Sequence, residues 1–441
     1  MNIGNIGGPE YIRGASGISS NPITKEQPSV AEPQDRMEFE ANNDGKVRLI
    51  VNADTPEALV QIKEKLSNSG NVKANNSSTT ITADLPLING IAIEVDQSQL
   101  GLIAGLGKGI NVWNDGIISI PTPVKVDDDV SIKMDVATQT LGLDKLHAQG
   151  FTGKDTTICV IDTGIAQHPD VKDRIIAFKD FVNGSEVAYD DQGHGTHCAG
   201  IAAGNGASSE GKYIGSAPEA NLIGVKVLDK NGSGSFSNVI KGIQWAIENK
   251  DSLGIDVVSM SLGGRVSESS KTDPVSIAAE KAVEAGLIMC IAAGNEGPSA
   301  GTIGTPGNAE HVITVGAMND KGTVDRSDDD MANFSSVGPT KYDGLVKPDI
   351  IAPGYKITAA AHNSTGYVEF SGTSMATPCA AGVMAIVAQV KPGINPLELK
   401  EAAMKTADKL PNPSYDSNKQ GAGCIDPKEL LLAVKPDLNI E

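Results

Sequence analysis

One hydroxyl among small residues is the first candidate for chemistry. Ser374 sits in Gly372-Thr-Ser-Met-Ala-Thr-Pro378, and Cys379 to Ala388 beyond it reads as a buried helix. Free backbone N–H groups and the positive dipole end at such a helix start favour negative charge. That suits a nucleophile whose reaction creates an oxyanion. The plainer reading is an N-cap serine, held for hydrogen bonding alone. The choice turns on whether a base, an orienting acid and an oxyanion donor occur elsewhere.

Asp162 ends the apolar strand Thr157 to Ile161 and is followed by Thr-Gly. A carboxylate at the carboxyl end of a buried strand must be paired or hydrogen-bonded, if only to brace the turn. Gly193-His-Gly-Thr-His-Cys-Ala-Gly200 offers two histidines three apart. A metal pair on one helix face is the competing reading, but no H-E-x-x-H pattern or further ligand cluster accompanies it. His194, between two glycines where a loop enters a helix, is the better base, and His197 reads as packing. Asn295 follows another buried strand in Ala293-Gly-Asn-Glu-Gly297. It offers ordinary turn chemistry, or a side-chain N–H for an oxyanion. Gly232-Ser233-Gly234 and Ser261-Leu262-Gly263-Gly264 read as backbone edges that an extended peptide joins as a strand, or as flexible loops. The order Asp162, His194, Ser374 excludes the α/β-hydrolase plan, in which histidine comes last.

The elements that must position these residues are short apolar strands alternating with helices from Leu141 to about Val434. Expected strands are Thr157–Ile161, Leu222–Leu228, Val257–Leu262, Leu287–Ala292 and Val312–Val315; expected helices include Asn238–Glu248 and Pro274–Ala285. This is the grammar of an α/β parallel sheet covered on both faces, with its sites in the loops beyond the strands. Ahead of it, Lys46–Val51, a helix with Leu59, Ile62 and Leu66 on one face, Thr79–Ala83, Ile91–Val95, a helix Gln97–Gly105 and Ile110–Trp113 follow the ferredoxin-like order β-α-β-β-α-β. A unit of some 75 residues is small for independent stability and needs a surface to lean on. The expected organisation is a flexible leader 1–40, this unit over 41–120, a linker 121–136 with two prolines and Asp127-Asp-Asp129, and the α/β domain 137–441.

The chain has 441 residues, 39% of them hydrophobic, 49 glycines and a net charge of −19, which argues against nucleic acid as a partner. No apolar run approaches the length of a membrane span. The N-terminus has neither a basic start nor an apolar h-region, so it is not read as a signal peptide. Five cysteines (159, 198, 290, 379, 424) are an odd number, four in core-like segments, so buried free thiols and a reducing, cytoplasmic compartment are expected, with secretion the alternative if an export signal was trimmed.

Ile161-Asp-Thr-Gly164, Gly193-His-Gly-Thr-His197, Ala293-Gly-Asn295 and Gly372-Thr-Ser-Met-Ala-Thr-Pro378 together resemble the subtilisin-like serine proteases, over roughly residues 140 to 434. The resemblance implies that Asp162 orients His194, that His194 deprotonates Ser374, and that Asn295 with the Ser374 N–H forms the oxyanion hole. It implies that Gly232, Ser233 and Gly234 and Ser261, Leu262 and Gly263 flank the substrate main chain. Phe236 would border an apolar pocket upstream of the cut; Glu296 and Gly304 would line the pocket immediately before it. Cys198 is similar to the cysteine of the proteinase-K-like and intracellular branches. Residues 45 to 120, above all Ile88 to Val95, look like the family's propeptide, an intramolecular chaperone and inhibitor.

The expectation is a zymogen that cuts itself between about Ile117 and Asp135, then acts on polypeptides, a monomer once mature, without a cofactor for catalysis. Structural calcium is implied by the family; Asp170 matches one family ligand, but the loop Gly206 to Tyr213 lacks the consecutive asparagines that accompany it. The alternatives are a catalytically silent subtilase-fold peptide binder and a metallohydrolase using His194 and His197.

Overall fold

The computed structural model describes residues 41–42, 44–69, 79–106, 109–121, 134–411 and 416–440. The expected leader and the stretch 122–133 of the expected linker lie outside the described residues.

Val257–Met260, Thr157–Asp162 and Ile288–Ala292 are buried at every position, as strands covered on both faces must be. They form the middle of an eight-stranded sheet in the order Asp330–Met331, Ile313–Asn319, Ile288–Ala292, Val257–Met260, Thr157–Asp162, Asn221–Lys226, Ile175–Asp180, with Ile350–Pro353 also paired to Ile313–Asn319. Every pairing is parallel except that of Asp330–Met331. Strand residues alternate between faces. Ile158 and Val160 pack in the core with the helices His194–Ala203 and Thr373–Val390. Ile161 and Val225 turn the other way, against Gly242 of helix Phe236–Glu248, which packs beside helix Pro274–Glu284. Thr373–Val390 is long and apolar enough to cross a membrane, contrary to the sequence reading, but it is the buried core helix of the domain.

The N-terminal unit is a four-stranded antiparallel sheet in the order Thr79–Leu85, Gly90–Asp96, Lys46–Ala53, Ile110–Asn114. That order with helices Pro56–Ser69 and Leu100–Ala104 is ferredoxin-like. Leu59, Ile62 and Leu66 are the buried face of the first helix. The second is shorter than expected, because Gln97–Gln99 winds as a 3₁₀ turn before it. The unit touches the helix pair Phe236–Glu248 and Pro274–Glu284, where the Leu87 N–H donates to Gln244 Oε1 at 3.3 Å.

One boundary moves. The last residues assigned to the linker open the helix Met134–Thr140, whose Thr138 and Thr140 hydroxyls donate to Ile214 O and Thr323 O. Among its described side chains Ala137 joins the core, with Leu141 just beyond the helix end, so the apolar period is too faint to stand out.

Candidate active site

Asp162 is the last residue of Thr157–Asp162, which places its carboxylate at the carboxyl edge of the sheet. Its Oδ1 accepts the Thr163 N–H at 2.7 Å, bracing the turn, and its two oxygens lie 2.8 and 3.0 Å from His194 Nδ1. His194 opens helix His194–Ala203 directly after Gly193. Both glycines beside it are obligatory. A Cβ on Gly193, at φ +110°, would fall 2.3 Å from His362 Nδ1, and one on Gly195 would fall 2.2 Å from Gly164 O. Burial disfavours a charge on His194, yet the facing Asp162 carboxylate prevails and holds the imidazole pKa well above its ordinary 6.5.

The two histidines part company. His197 is fully buried, its Nε2 within 3.1 Å of Ile357 O and 3.0 Å of Val368 O and its ring 4.6 Å from Phe370. Burial, with His194 nearby, lowers its pKa to about 3, so it stays neutral. His197 Nε2 is committed to two backbone carbonyls and its Nδ1 is buried without a partner. Among the described residues the donor atoms that gather around His194 come from Asp162 and Cys198, not from His197, which speaks against the metal-pair alternative.

Ser374 lies in the first turn of Thr373–Val390; the cap residue is Gly372, without a side-chain cap, so the N-cap reading of Ser374 is not what the fold uses. Its hydroxyl points to Ser261 O at 3.4 Å, and its carbonyl accepts Ser261 Oγ at 2.9 Å. The Asn295 side chain is oriented by Thr373, whose N–H and hydroxyl both donate to Oδ1 at 2.9 Å. This turns Nδ2 toward Gly372 and the nucleophile turn. His194, Asn295 and Ser374 line one cavity of about 110 Å³, together with Ile120, Pro121, Gln192, Glu369 and Phe370.

A second cavity of about 480 Å³ adjoins it, lined by Gly263, Gly264, Gly294, Glu296 and Gly304, with Arg265 and Lys341 among its walls. Glu296 and Gly304, which the resemblance assigns to the pocket immediately before the cut, both line this cavity. Of Gly232, Ser233 and Gly234, the last two lie in the short strand Ser233–Ser235. On the opposite side Gly263 presents its backbone, whereas the Leu262 side chain is buried. Phe236 starts its helix and packs its ring on Gly116, with Gly264 next to it.

Cys198 lies fully buried beside His194, Sγ 3.8 Å from Nδ1 and 3.4 Å from Ser374 O. Asp162, His194 and Cys198 therefore present donor atoms within 4.8 Å of one another. Burial raises the thiol pKa, however, and Nδ1 already faces the carboxylate, so these donors fit one another rather than a cation. All five cysteines are free and buried.

The calcium candidate fares poorly. Asp170 Oδ1 accepts the Ser208 N–H at 2.9 Å and Oδ2 accepts the Tyr367 hydroxyl at 2.8 Å. Arg174 donates to Asp170 O, Ala203 O and Ala220 O beside it. A guanidinium and a phenol occupy the acceptors a cation would need, so the residues present do not fit one here.

Sequence reasoning missed the residues that hold the base in place. Gln192 Oε1 accepts the His194 N–H at 2.7 Å. Asp190 accepts the N–H groups of Gln192 and Gly193 with one oxygen, and the N–H and hydroxyl of Thr196 with the other. The aspartate two and three residues before an N–H pair is a readable Asx-turn signal.

Comparison with known proteins identifies the family. The model of the Subtilase family matches residues 153–423. Serine protease AprX of Bacillus subtilis (strain 168) is 45% identical over 322 residues, covering 68% of this chain and 72% of that protein. Subtilisin DY of Bacillus licheniformis is 35% identical over 275 residues, covering 62% and 90%. The crystal structure of fervidolysin from Fervidobacterium pennivorans, a keratinolytic enzyme related to subtilisin, superposes with a TM-score of 0.69 at 22% identity, over 89% of this chain and 62% of that one. This chain belongs to the subtilase family and is a subtilisin-like serine endopeptidase.

Proposed function

We propose that the endopeptidase is made as a zymogen, and that residues 41–120 are its propeptide and first substrate. The observation that carries this is the path of the chain leaving the N-terminal unit. Ile117–Ser119 runs antiparallel to Ser233–Ser235, Ile118 opposite Gly234. Ser119 exchanges both backbone hydrogen bonds with Gly263, at 3.1 and 3.0 Å, and the Ile120 N–H donates to Gly232 O at 2.9 Å. One extended segment is thereby the middle strand between the two edges. Ile118 is buried against Gly264, beside Phe236, and Pro121 lines both cavities. The register supports a cut in the first bonds beyond Ile120. It also supports substrates that place a branched aliphatic side chain where Ile118 sits.

In this reading Ser374 attacks the carbonyl delivered past Pro121. His194 takes the serine proton as the hydroxyl leaves its contact with Ser261 O, and Asp162 stabilises the imidazolium that forms. Asn295 Nδ2 and the Ser374 N–H, unpaired within the helix in its first turn, receive the oxyanion. The imidazolium then gives its proton to the leaving amine, and water repeats the sequence on the acyl-enzyme. Catalysis needs no metal in this scheme, and the mature enzyme acts as a monomer on polypeptides.

The test is maturation. Wild type converts to a shorter stable species, whereas Ser374→Ala stays at 45.6 kDa. Residues 1–120 added separately inhibit the mature enzyme. A fully active, uncut wild-type chain that the fragment does not inhibit overturns the reading.

A further inference from the structure

We propose that Lys226 is a positioning residue of the catalytic machinery: its ammonium ties the turn that carries Asp162 to the loop that carries His194. The inference rests on the triad assignment above.

Lys226 is the last residue of Asn221–Lys226, directly across from Asp162 in the parallel register. Its strand neighbours Leu222, Ile223 and Val225 are apolar core residues, and Lys226 itself is 0% exposed. An ammonium without water is costly unless all its protons find acceptors, and a methionine would fill the same space without that cost. The three protons do find acceptors. Nζ lies 2.6 Å from Thr163 O, 2.7 Å from Asp191 Oδ1 and 2.8 Å from Leu228 O, with the Tyr189 ring centroid at 5.2 Å.

Each acceptor is one step from a triad group. Thr163 follows Asp162, and its hydroxyl accepts the Gly195 N–H next to His194. The Leu228 N–H donates to Asp162 O. Asp191 stands between Asp190, which bridges to Gly164, and Gln192, which holds the His194 N–H. The acid and the base come from separate loops, and this ammonium is bonded to both. Lys226 lines neither cavity at the site, so it acts through these loops.

The test is Lys226→Met, measured as kcat per site titrated with a serine-reactive phosphonate, beside wild type and Ser374→Ala. A loosened acid–base pair lowers kcat by about 10- to 100-fold, the scale of a displaced catalytic group, with KM within about twofold. The charged or titratable groups around His194 are Asp162 on its strand, His197 and Cys198 on its own helix, Asp190 and Asp191 on the preceding loop, His362 against Gly193, Glu369 across the cavity, and Lys226. Only the Lys226–Asp191 pair changes in this series. Lys226→Met leaves the Asp191 carboxylate without its cation, which favours the imidazolium, so the acid limb of kcat/KM moves to higher pH. Adding Asp191→Asn removes that charge and returns the limb, while kcat stays low.

Where Lys226→Met does not fold, Asp191→Asn alone decides, its side chain being 35% exposed. A reduced kcat at unchanged KM, with the limb moved to lower pH, supports the inference. Wild-type kcat and pH profile in a folded Lys226→Met, with only the melting temperature lowered, overturn it, as they do in Asp191→Asn. Activity persisting in Ser374→Ala would instead remove the triad reading, and the inference with it.

Discussion

The two folded regions solve opposite problems with sheets. In the endopeptidase domain the central strands are buried throughout, and polar groups at strand ends are held by several partners each, as Asp162 and Lys226 are. The N-terminal sheet is thin by comparison. Its edge strand Thr79–Leu85 buries only Leu85 fully, and among the described side chains of its helix Pro56–Ser69 three are in the core. Part of what orders the second region is supplied by the first: Gln244 bonds its turn, and Ser233–Ser235 and Gly263 take up its exit strand. A frame that stands alone suits a catalyst, and a unit that borrows its frame suits the propeptide role proposed above.

The largest effects should fall on the self-sufficient side. His194→Ala removes the imidazole that faces Asp162, the base of the proposed mechanism, so peptidase activity in the folded variant should be abolished. His197→Ala, which empties a neutral packing site, retains substantial activity in whatever protein folds. Equal and complete loss in two well-folded variants would break the distinction. The same histidine sets a pH dependence. The base must be neutral to accept a proton, and its pKa is held well above 6.5, so kcat/KM falls as pH drops through that raised value. An acid limb at or below pH 6.5 would show that Asp162 does not govern it.

The borrowed frame predicts an all-or-none difference in folding. Residues 41–120 expressed alone should show no cooperative melting transition, and should gain one when mature Ser374→Ala enzyme is added. A sharp transition in the isolated unit would make it an independent domain.

These contrasts also explain what the sequence could carry. Asp162, His194, Asn295 and Ser374 sit in short contiguous motifs at element ends, so residue order alone brings them to notice, and the structure gathers them at one site. The parallel sheet and ferredoxin-like order follow from apolar runs and their spacing for the same local reason. What stayed hidden depends on partners far along the chain. Lys226 falls inside the expected strand Leu222–Leu228 with nothing to mark it until its register with Asp162 is known. Asp170 reads as a lone calcium ligand until Tyr367, 197 residues away, takes its oxygen. Met134–Thr140 disappears into a linker because, among its described side chains, the small Ala137 is what joins the core.

A smaller loss tests chemistry against association. Asn295→Ala removes one side-chain donor from the proposed oxyanion hole. It should lower kcat by on the order of 10²–10³, the scale found for the corresponding donor in subtilisin itself, while inhibition by residues 1–120 is unchanged. An effect confined to KM would mean that Asn295 holds substrate before reaction, not the oxyanion.

The smallest effect tests the seam between the two regions. Asp115 leaves the N-terminal sheet at the end of Ile110–Asn114 and reaches the start of helix Phe236–Glu248. Its oxygens accept the Ser237 N–H and the Ser237 hydroxyl, each at 2.8 Å, and Arg48 pairs with it at 2.9 Å. The helix has its own cap in Ser235, which accepts the Asn238 N–H, so the endopeptidase does not depend on Asp115 to fold. A carboxylate at a helix N-terminus contributes about 1 kcal/mol through the cap and the dipole. Asp115→Ala in the separately added fragment should therefore weaken inhibition by roughly fivefold at low salt, and less at high salt where the dipole term is screened. Turnover of a peptide substrate by the mature enzyme, which no longer carries residue 115, is the internal control. Unchanged inhibition would place the grip of the N-terminal unit in the strand Ile117–Ser119 alone, and the seam with the helix would be contact without consequence.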